Sequence, residues 1–385
     1  MNVLEKYATT CGVKVSELNF DTGYFPLPCD KYIVIDNRNK SSSNVYDLYP
    51  DVMIYMYKIL KENDIKVIYF SKDEHDKIEG YDIYYYIGLT KKQEAFFLKN
   101  SLLNICSDNL SNHISTSLNV QNIGLYSIFP PEVTQPLIGG CHFAIESHRD
   151  GNLPSYGLEE SPKTINFISP EIISQKILDL LSINRHIKYD CFYIGDFYAT
   201  KVVEVIPDFV AHSSFMQGRA LNLRLDYHFD EEKLCSWLSG RRLNVVTDKK
   251  INTSILKHFK DNIAQITIKI NDSFDEKYLE AIRELGINLE IYCDEIEKIN
   301  DYRFKFFDFI IHKDESKSKN DVPDKLRPDS KFVTSKILLS EGKKYSCLTS
   351  KKMGKELTLE PEQVYDTPDF WKELDHYRLI NEIQS

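Results

Sequence analysis

The 385-residue chain lacks any uninterrupted apolar run approaching 18 residues, so it carries no signal for a membrane-spanning helix. Its opening residues, MNVLEKYATT, lack the charged-then-apolar plan of a secretory leader, and cytoplasmic residence is the expectation. Glycine (15) and proline (14) are too sparse for a collagen-like or low-complexity chain. The eight cysteines, at positions 11, 29, 106, 141, 191, 235, 293 and 347, contain no C-x-x-C pair. Most lie in or beside apolar runs and read as reduced core thiols, not as a disulfide framework. No G-x-G-x-x-G occurs, so no nicotinamide or flavin cofactor is expected, and no cofactor of any kind is called for. No repeat of solenoid period is present.

Positive charge is also in deficit. A formal net charge of −10 disfavours nucleic acid as a partner, because duplex binding needs a positive field. The deficit is uneven: residues 313–352 hold eleven Lys/Arg against six Asp/Glu. That run reads either as a solvated linker and hairpin or as a contact surface for an anionic acceptor or polymer.

What the chain does have is material for cores. Hydrophobic residues make up 42%, with 24 Tyr and 21 Phe, enough for two or three soluble domains. The most informative stretch runs from Ile87 to Phe129. A capped amphipathic helix leads into an apolar strand, Leu102–Cys106, then a polar turn from Ser107 to His113, a second helix, and a strand at Asn122–Tyr126. A strand that ends in Asp and small polar residues as a helix begins points free N–H groups at whatever sits above the sheet edge, and that geometry binds phosphate.

These residues resemble the donor-binding, C-terminal domain of the ADP-heptose:lipopolysaccharide heptosyltransferase-like glycosyltransferases. Leu89-Thr90 opens the first helix and Lys99-Asn100 closes it. Asp108 and His113 fall at the family's interval, and Ser115 and Thr116 stand where its small residues belong. Lys31–Asp36 resembles the first strand of that domain, followed by the loop 37–49 and a helix over Val52–Leu60. Ile165–Leu181 resembles its closing helix, with Ser169 as N-cap and Pro170 at the first helical position. Two positions depart from the pattern. Asn109-Leu110 replaces a hydroxyl residue and glycine, and Ser43-Asn44-Val45-Tyr46 stands where a phosphate-pairing lysine is usual, with Arg38 and Lys40 nearby.

Beyond residue 185, strand and helix patterns alternate: Leu221–Tyr227, a helix from Asp230, Leu243–Thr247, a helix through Ile255–Phe259, Gln265–Ile270, a helix from Ser273 to Leu285, Asn288–Tyr292 and Phe309–His312. Ser273 with Glu276 reads as a capping box and Gly286 as the stop. Val203–Asp208 reads as a buried strand closed by a proline turn. Short connections between such elements imply βα units and a mainly parallel sheet. The expected fold class is α/β, with two Rossmann-like domains in the two-domain glycosyltransferase architecture (GT-B), plus a C-terminal hairpin and helix. The expected segments are 1–30, a donor-type domain at 31–185, a second domain at 187–312, and a linker, hairpin and aromatic helix at 313–385. The hairpin is expected from Phe332–Leu339 and Lys344–Leu348, and the aromatic end is expected to pack across the first domain. The family places its acceptor domain first. Here the order is either permuted, or a donor-like domain is fused to something else.

The resemblance implies a glycosyltransferase that moves a sugar from a nucleotide-diphosphate donor to a glycan, lipid or other hydroxyl acceptor, with no metal required. Asp108, Asn109, Ser111 and His113 are the nucleotide-sugar candidates on the helix start, where Asp and Asn also serve as plain caps. Ser41, Ser42 and Ser43 follow the first strand at its carboxyl end. Arg149, in the long connection Gly139–Gly157, has the guanidinium geometry that suits a diphosphate. Cys141, His142, Glu146 and His148 match no strong zinc spacing. Asp226, His228 and Asp248, at predicted strand ends of the second domain, are the general-base candidates. The alternatives are a catalytically silent scaffold and, on the basic tail alone, glycosylation of phage or viral nucleic acid.

Overall fold

The computed structural model describes all residues except 1, 17–18, 73–76, 79, 158, 196–197, 199, 211–220, 314–316, 323 and 384–385. Residues 314–316 and 323 of the expected linker lie outside the described residues. The chain forms two compact units. One runs to Tyr189 and takes in Ile383, and the other spans Asp190–Glu382.

The first unit holds six parallel strands: β1 (Tyr32–Asp36), β2 (Lys66–Phe70), β3 (Ile83–Tyr86), β4 (Leu103–Ser107), β5 (Asn122–Tyr126) and β6 (His142–Glu146). Their spatial order is β3-β2-β1-β4-β5-β6, that of a doubly wound dinucleotide-binding sheet. Every residue of β1, β4 and β5 is buried, as central strands covered on both faces require. Tyr32, Val34, Ile68 and Phe70 pack with Ala95, Phe97, Leu98 and Ile114 from the helices on one face. Each such side chain contributes about 1.5–3 kcal/mol by leaving water. Ile33, Ile35 and Val67 alternate to the other face and are buried as well.

The helices of this unit are α1 (Val3–Thr10), α2 (Tyr49–Glu62), α3 (Lys91–Lys99), α4 (Leu110–Ser117), α5 (Pro131–Thr134) and α6 (Pro170–Leu180). Thr90 and Gln93 form a reciprocal capping box that starts α3. Ser169 caps α6, with Pro170 at its first position. The connection expected over Gly139–Gly157 contains β6. Its HFAIE sequence pairs with β5 on one side only and stays half exposed, which masked its strand character.

β7 (Tyr189–Ile194) belongs to a small four-stranded sheet. In the second unit β8 (Val202–Val205), β9 (Leu221–Arg224), β10 (Leu243–Thr247), β11 (Ile263–Lys269), β12 (Leu289–Cys293) and β13 (Ile310–Lys313) lie side by side in chain order, all parallel. The connecting helices are α7 (Glu231–Gly240), α8 (Thr253–Phe259), α9 (Glu276–Glu284) and α10 (Ile296–Lys305). Successive right-handed crossovers in one direction put these helices on one face. Leu234, Leu256, Leu279 and Ile299 accordingly share a single core with Leu223, Val245, Ile268 and Ile291.

Four local expectations change. β9 ends at Arg224, so Asp226 and Tyr227 lie in the turn beyond it. α9 begins at Glu276 and is capped by Asp275, because Ser273 is bonded to Asn271 instead. The expected strand Phe332–Leu339 breaks at Ser335 into β14 (Lys331–Thr334) and β15 (Lys336–Ser340). β15 joins the large sheet beside β8 and forms the hairpin with β16 (Lys343–Tyr345). β14 joins the four-stranded sheet β17-β14-β18-β7, with β17 at Glu362–Gln363 and β18 at Tyr377–Glu382. The aromatic end forms a short helix, and its Phe370 and Trp371 are buried with Phe332, Tyr365 and Tyr377 of its own unit.

Candidate functional site

In the first sheet the strand order departs in opposite directions from β1 and β4. Ligands of such sheets sit outside the carboxyl ends at that point. Asp36 closes β1 and Ser107 closes β4, and the two following loops are stitched together. Asn39 donates its amide to the Asp108 carbonyl at 2.9 Å, and Asn109 donates its own to the Arg38 carbonyl at 3.1 Å. The Asn109 side-chain oxygen accepts from the Ser111 N–H at 2.9 Å and caps α4. The Leu110 N–H, at the first position of α4, has no partner among the described residues, and its side chain is exposed.

Charge at this edge is mostly spoken for. Arg38 grips both carboxylate oxygens of Asp36 at 2.8 Å, reaches Glu94 at 2.6 Å and lies over the Phe70 ring. The Ser111 hydroxyl donates to the same Asp36 carboxylate. Arg149 is buried, donating to the Ser127 carbonyl at 2.6 Å and to Glu146 at 2.7 Å. Lys40, exposed in the loop after β1, has no ion-pair partner among the described residues. Ser42 is exposed, the Ser41 N–H bonds Asn39, and buried Ser43 accepts from the Glu160 N–H at 2.6 Å.

Asp108 accepts from the Thr134 hydroxyl at 2.7 Å, and burial pushes its pKa up against that hydrogen bond. Burial lowers the His113 pKa against a backbone hydrogen bond with Thr134, and its buried Nδ1 has no hydrogen-bond partner among the described residues. Beneath this edge runs a polar chain that sequence reading did not anticipate. Asn104 donates to Asn122 at 2.7 Å, Asn122 donates to Asn112 at 2.7 Å, and His142 joins Asn122 and Tyr126 through its two ring nitrogens at 2.8 and 3.0 Å. Burial, with the nearby His113, lowers the His142 pKa to about 4. The available signal was an Asn inside each of two apolar strands. Among the described residues no cluster of three or more His, Cys, Asp or Glu could hold a metal ion.

In the second unit Asp226 is chelated by Arg224 at 2.8 and 2.7 Å and bonded to Lys269 at 3.0 Å. Burial opposes its ionisation, but these cations win and hold its pKa below the usual carboxylate range. It has the chemistry of an ion-pair partner, not of a proton acceptor. His228 is exposed beyond the end of β9. Asp248 follows β10 and keeps one buried carboxylate oxygen without a hydrogen-bond partner among the described residues. Part of the basic run is paired within this unit: Lys319 with Asp366, Lys343 with Glu356, Lys351 with Asp208 and Lys352 with Asp369.

No protein-family model matches the chain, and no curated protein does. Solved structures do. The chain is similar to the E. coli heptosyltransferase WaaC with ADP at 14% identity, covering 40% of this chain and 46% of that one with a TM-score of 0.32. It is similar to a glycosyl transferase family 9 protein from Veillonella parvula at 15% identity, covering 41% and 48% with a TM-score of 0.33. The E. coli ADP-heptose lps heptosyltransferase II matches at 16% identity, covering 46% and 51% with a TM-score of 0.32. The chain spans about half the length of each. The fold class is mixed α/β with parallel sheets.

Proposed function

We propose that the protein is a glycosyltransferase that takes its sugar from a nucleotide-diphosphate donor bound at the β1/β4 edge. The observation that carries this reading is the pair of asparagine stitches, Asn39 and Asn109, which fix the loop bearing Lys40 beside the open start of α4. The Leu110 N–H and Lys40 supply the donor and the cation that a leaving diphosphate needs. The second Asp108 oxygen, not engaged by Thr134, would accept from a sugar hydroxyl. In the reaction an acceptor hydroxyl oxygen bonds to the anomeric carbon while the bond to the diphosphate oxygen breaks. The hydroxyl proton passes to a base, and the nucleoside diphosphate departs with the electron pair. The acceptor is a glycan or lipid.

Calorimetry against ADP-, UDP-, GDP- and CMP-sugars tests the reading, with Lys40→Ala and Asp108→Ala alongside. Binding to the wild type that weakens about tenfold or more in both variants supports it. A second reading, a silent scaffold, is favoured by the internal commitment of Arg38 and Arg149. It predicts no heat with any nucleotide.

A further inference from the structure

The segment between β6 and α6 crosses the carboxyl edge of the first sheet and is tied down along its way. Arg149 anchors it to Ser127, the Tyr156 N–H donates to the Ile128 carbonyl at 3.2 Å, and the Glu160 N–H donates to Ser43 in the loop after β1. The strap therefore passes the end of β5 and reaches the loop that carries Lys40. On it Tyr156 has a left-handed backbone, with φ 53°, and is 59% exposed. Its ring stands edge-on to Phe129, three residues past β5, with centroids 5.5 Å apart and planes at 73°. A bulky residue in that conformation is strained, and Gly157 follows immediately, so the chain has a glycine at hand one position too late. An aromatic ring left mostly in water recovers little of that strain by burial. Neither local conformation nor core packing accounts for tyrosine here.

The geometry points to Tyr156, backed by Phe129, as the platform on which the planar base of the donor nucleotide stacks. This rests on the nucleotide-diphosphate reading of the β1/β4 edge. β4 and β5 are neighbouring strands, about 4.8 Å apart, so the residues past β5 that hold Tyr156 lie one strand over from the loop that starts α4. Stacking on one face is tolerant of base identity, because every base has a π-face. Tyr156 therefore supplies affinity for the nucleoside half of the donor, and discrimination among bases lies elsewhere.

Titration calorimetry of the full chain with ADP, UDP and inorganic pyrophosphate tests this, using wild type, Tyr156→Phe, Tyr156→Ala and Tyr156→Gly. The wild type is expected to bind both nucleotides more tightly than pyrophosphate. Alanine and glycine should each weaken both nucleotides by about 5- to 100-fold and leave pyrophosphate unchanged, while phenylalanine retains wild-type affinity. Glycine should also raise or preserve the melting temperature, since it relaxes the left-handed backbone, and this shows that the lost affinity is not lost folding. Unchanged nucleotide binding in Tyr156→Ala and Tyr156→Gly, or an equal loss for pyrophosphate, overturns the platform. A wild type that binds pyrophosphate and neither nucleotide overturns it too. Absence of binding by all three probes instead sinks the donor site itself and the platform with it.

Discussion

Replacing Arg224 by Met should destabilise the second unit by about 3 kcal/mol, at the lower end of what breaking a buried ion pair costs. Arg224 is buried between Glu204 at 2.6 Å and Asp226, and its guanidinium lies 3.8 Å from the Tyr227 ring centre. Methionine keeps most of the volume, so the loss reports charge rather than a cavity. Both carboxylates retain one cation each, Glu204 with Lys336 at 3.2 Å and Asp226 with Lys269 at 3.0 Å, which is why the lower end applies. For a unit of this size that loss lowers Tm by about 6–12 °C. The chain's two tryptophans, Trp237 and Trp371, both belong to the second unit, so tryptophan fluorescence follows its unfolding separately. Glu204 and Asp226 have folded pKa values below their unfolded ones, so their contribution is complete above the ordinary carboxylate range and disappears as pH falls through the folded values. Burial pushes Glu373 the opposite way, which partly offsets this. The wild-type melting temperature should therefore fall on acidification below about pH 4, and that of Arg224→Met should fall less. A Tm for Arg224→Met within about 3 °C of wild type refutes the reasoning.

Two further outcomes concern the first unit. His142 has a folded pKa lowered to about 4, so the unfolded state takes up its proton first and stability falls as pH drops from about 6.5 to about 4. Far-UV circular dichroism melts across that range should show the fall, and His142→Asn should flatten it; an unchanged profile in the variant removes His142 as the cause. Asn109→Ala loses both the α4 cap and the stitch to Arg38 and should cost about 0.5–2 kcal/mol, whereas Asn109→Asp keeps the cap. Equal melting temperatures for the two variants in circular dichroism would show that the cap carries none of it.

The fold was legible where local chemistry and burial agree. Thr90 with Gln93, and Ser169 with Pro170, mark helix starts that need no tertiary help. The fully buried strands β1, β4 and β5 announce themselves as apolar runs. Edge elements are harder to read. β6 pairs on one side only and alternates weakly, so nothing local separates it from a polar loop. The break at Ser335 is fixed by partners: β14 bonds to β18 and β15 to β8, and no window of sequence contains both choices.

The same distinction governs the site. Sequence spacing brings Arg38 and Arg149 to the carboxyl edge, and both are there, but position does not reveal charge already spent. Arg38 faces Glu94, 56 residues away, and Arg149 faces Ser127 across the next strand. A guanidinium with two carboxylates around it has little attraction left for a phosphate, because a further anion must compete with partners at 2.6–2.8 Å. The unspent groups at this edge are less conspicuous in sequence: a lysine in a serine-rich loop, a leucine backbone N–H and a tyrosine before a glycine. Lys40, Leu110 and Tyr156 share no motif. They belong together only because Asn39, Asn109 and the Ser43–Glu160 contact draw three separate loops to one sheet edge.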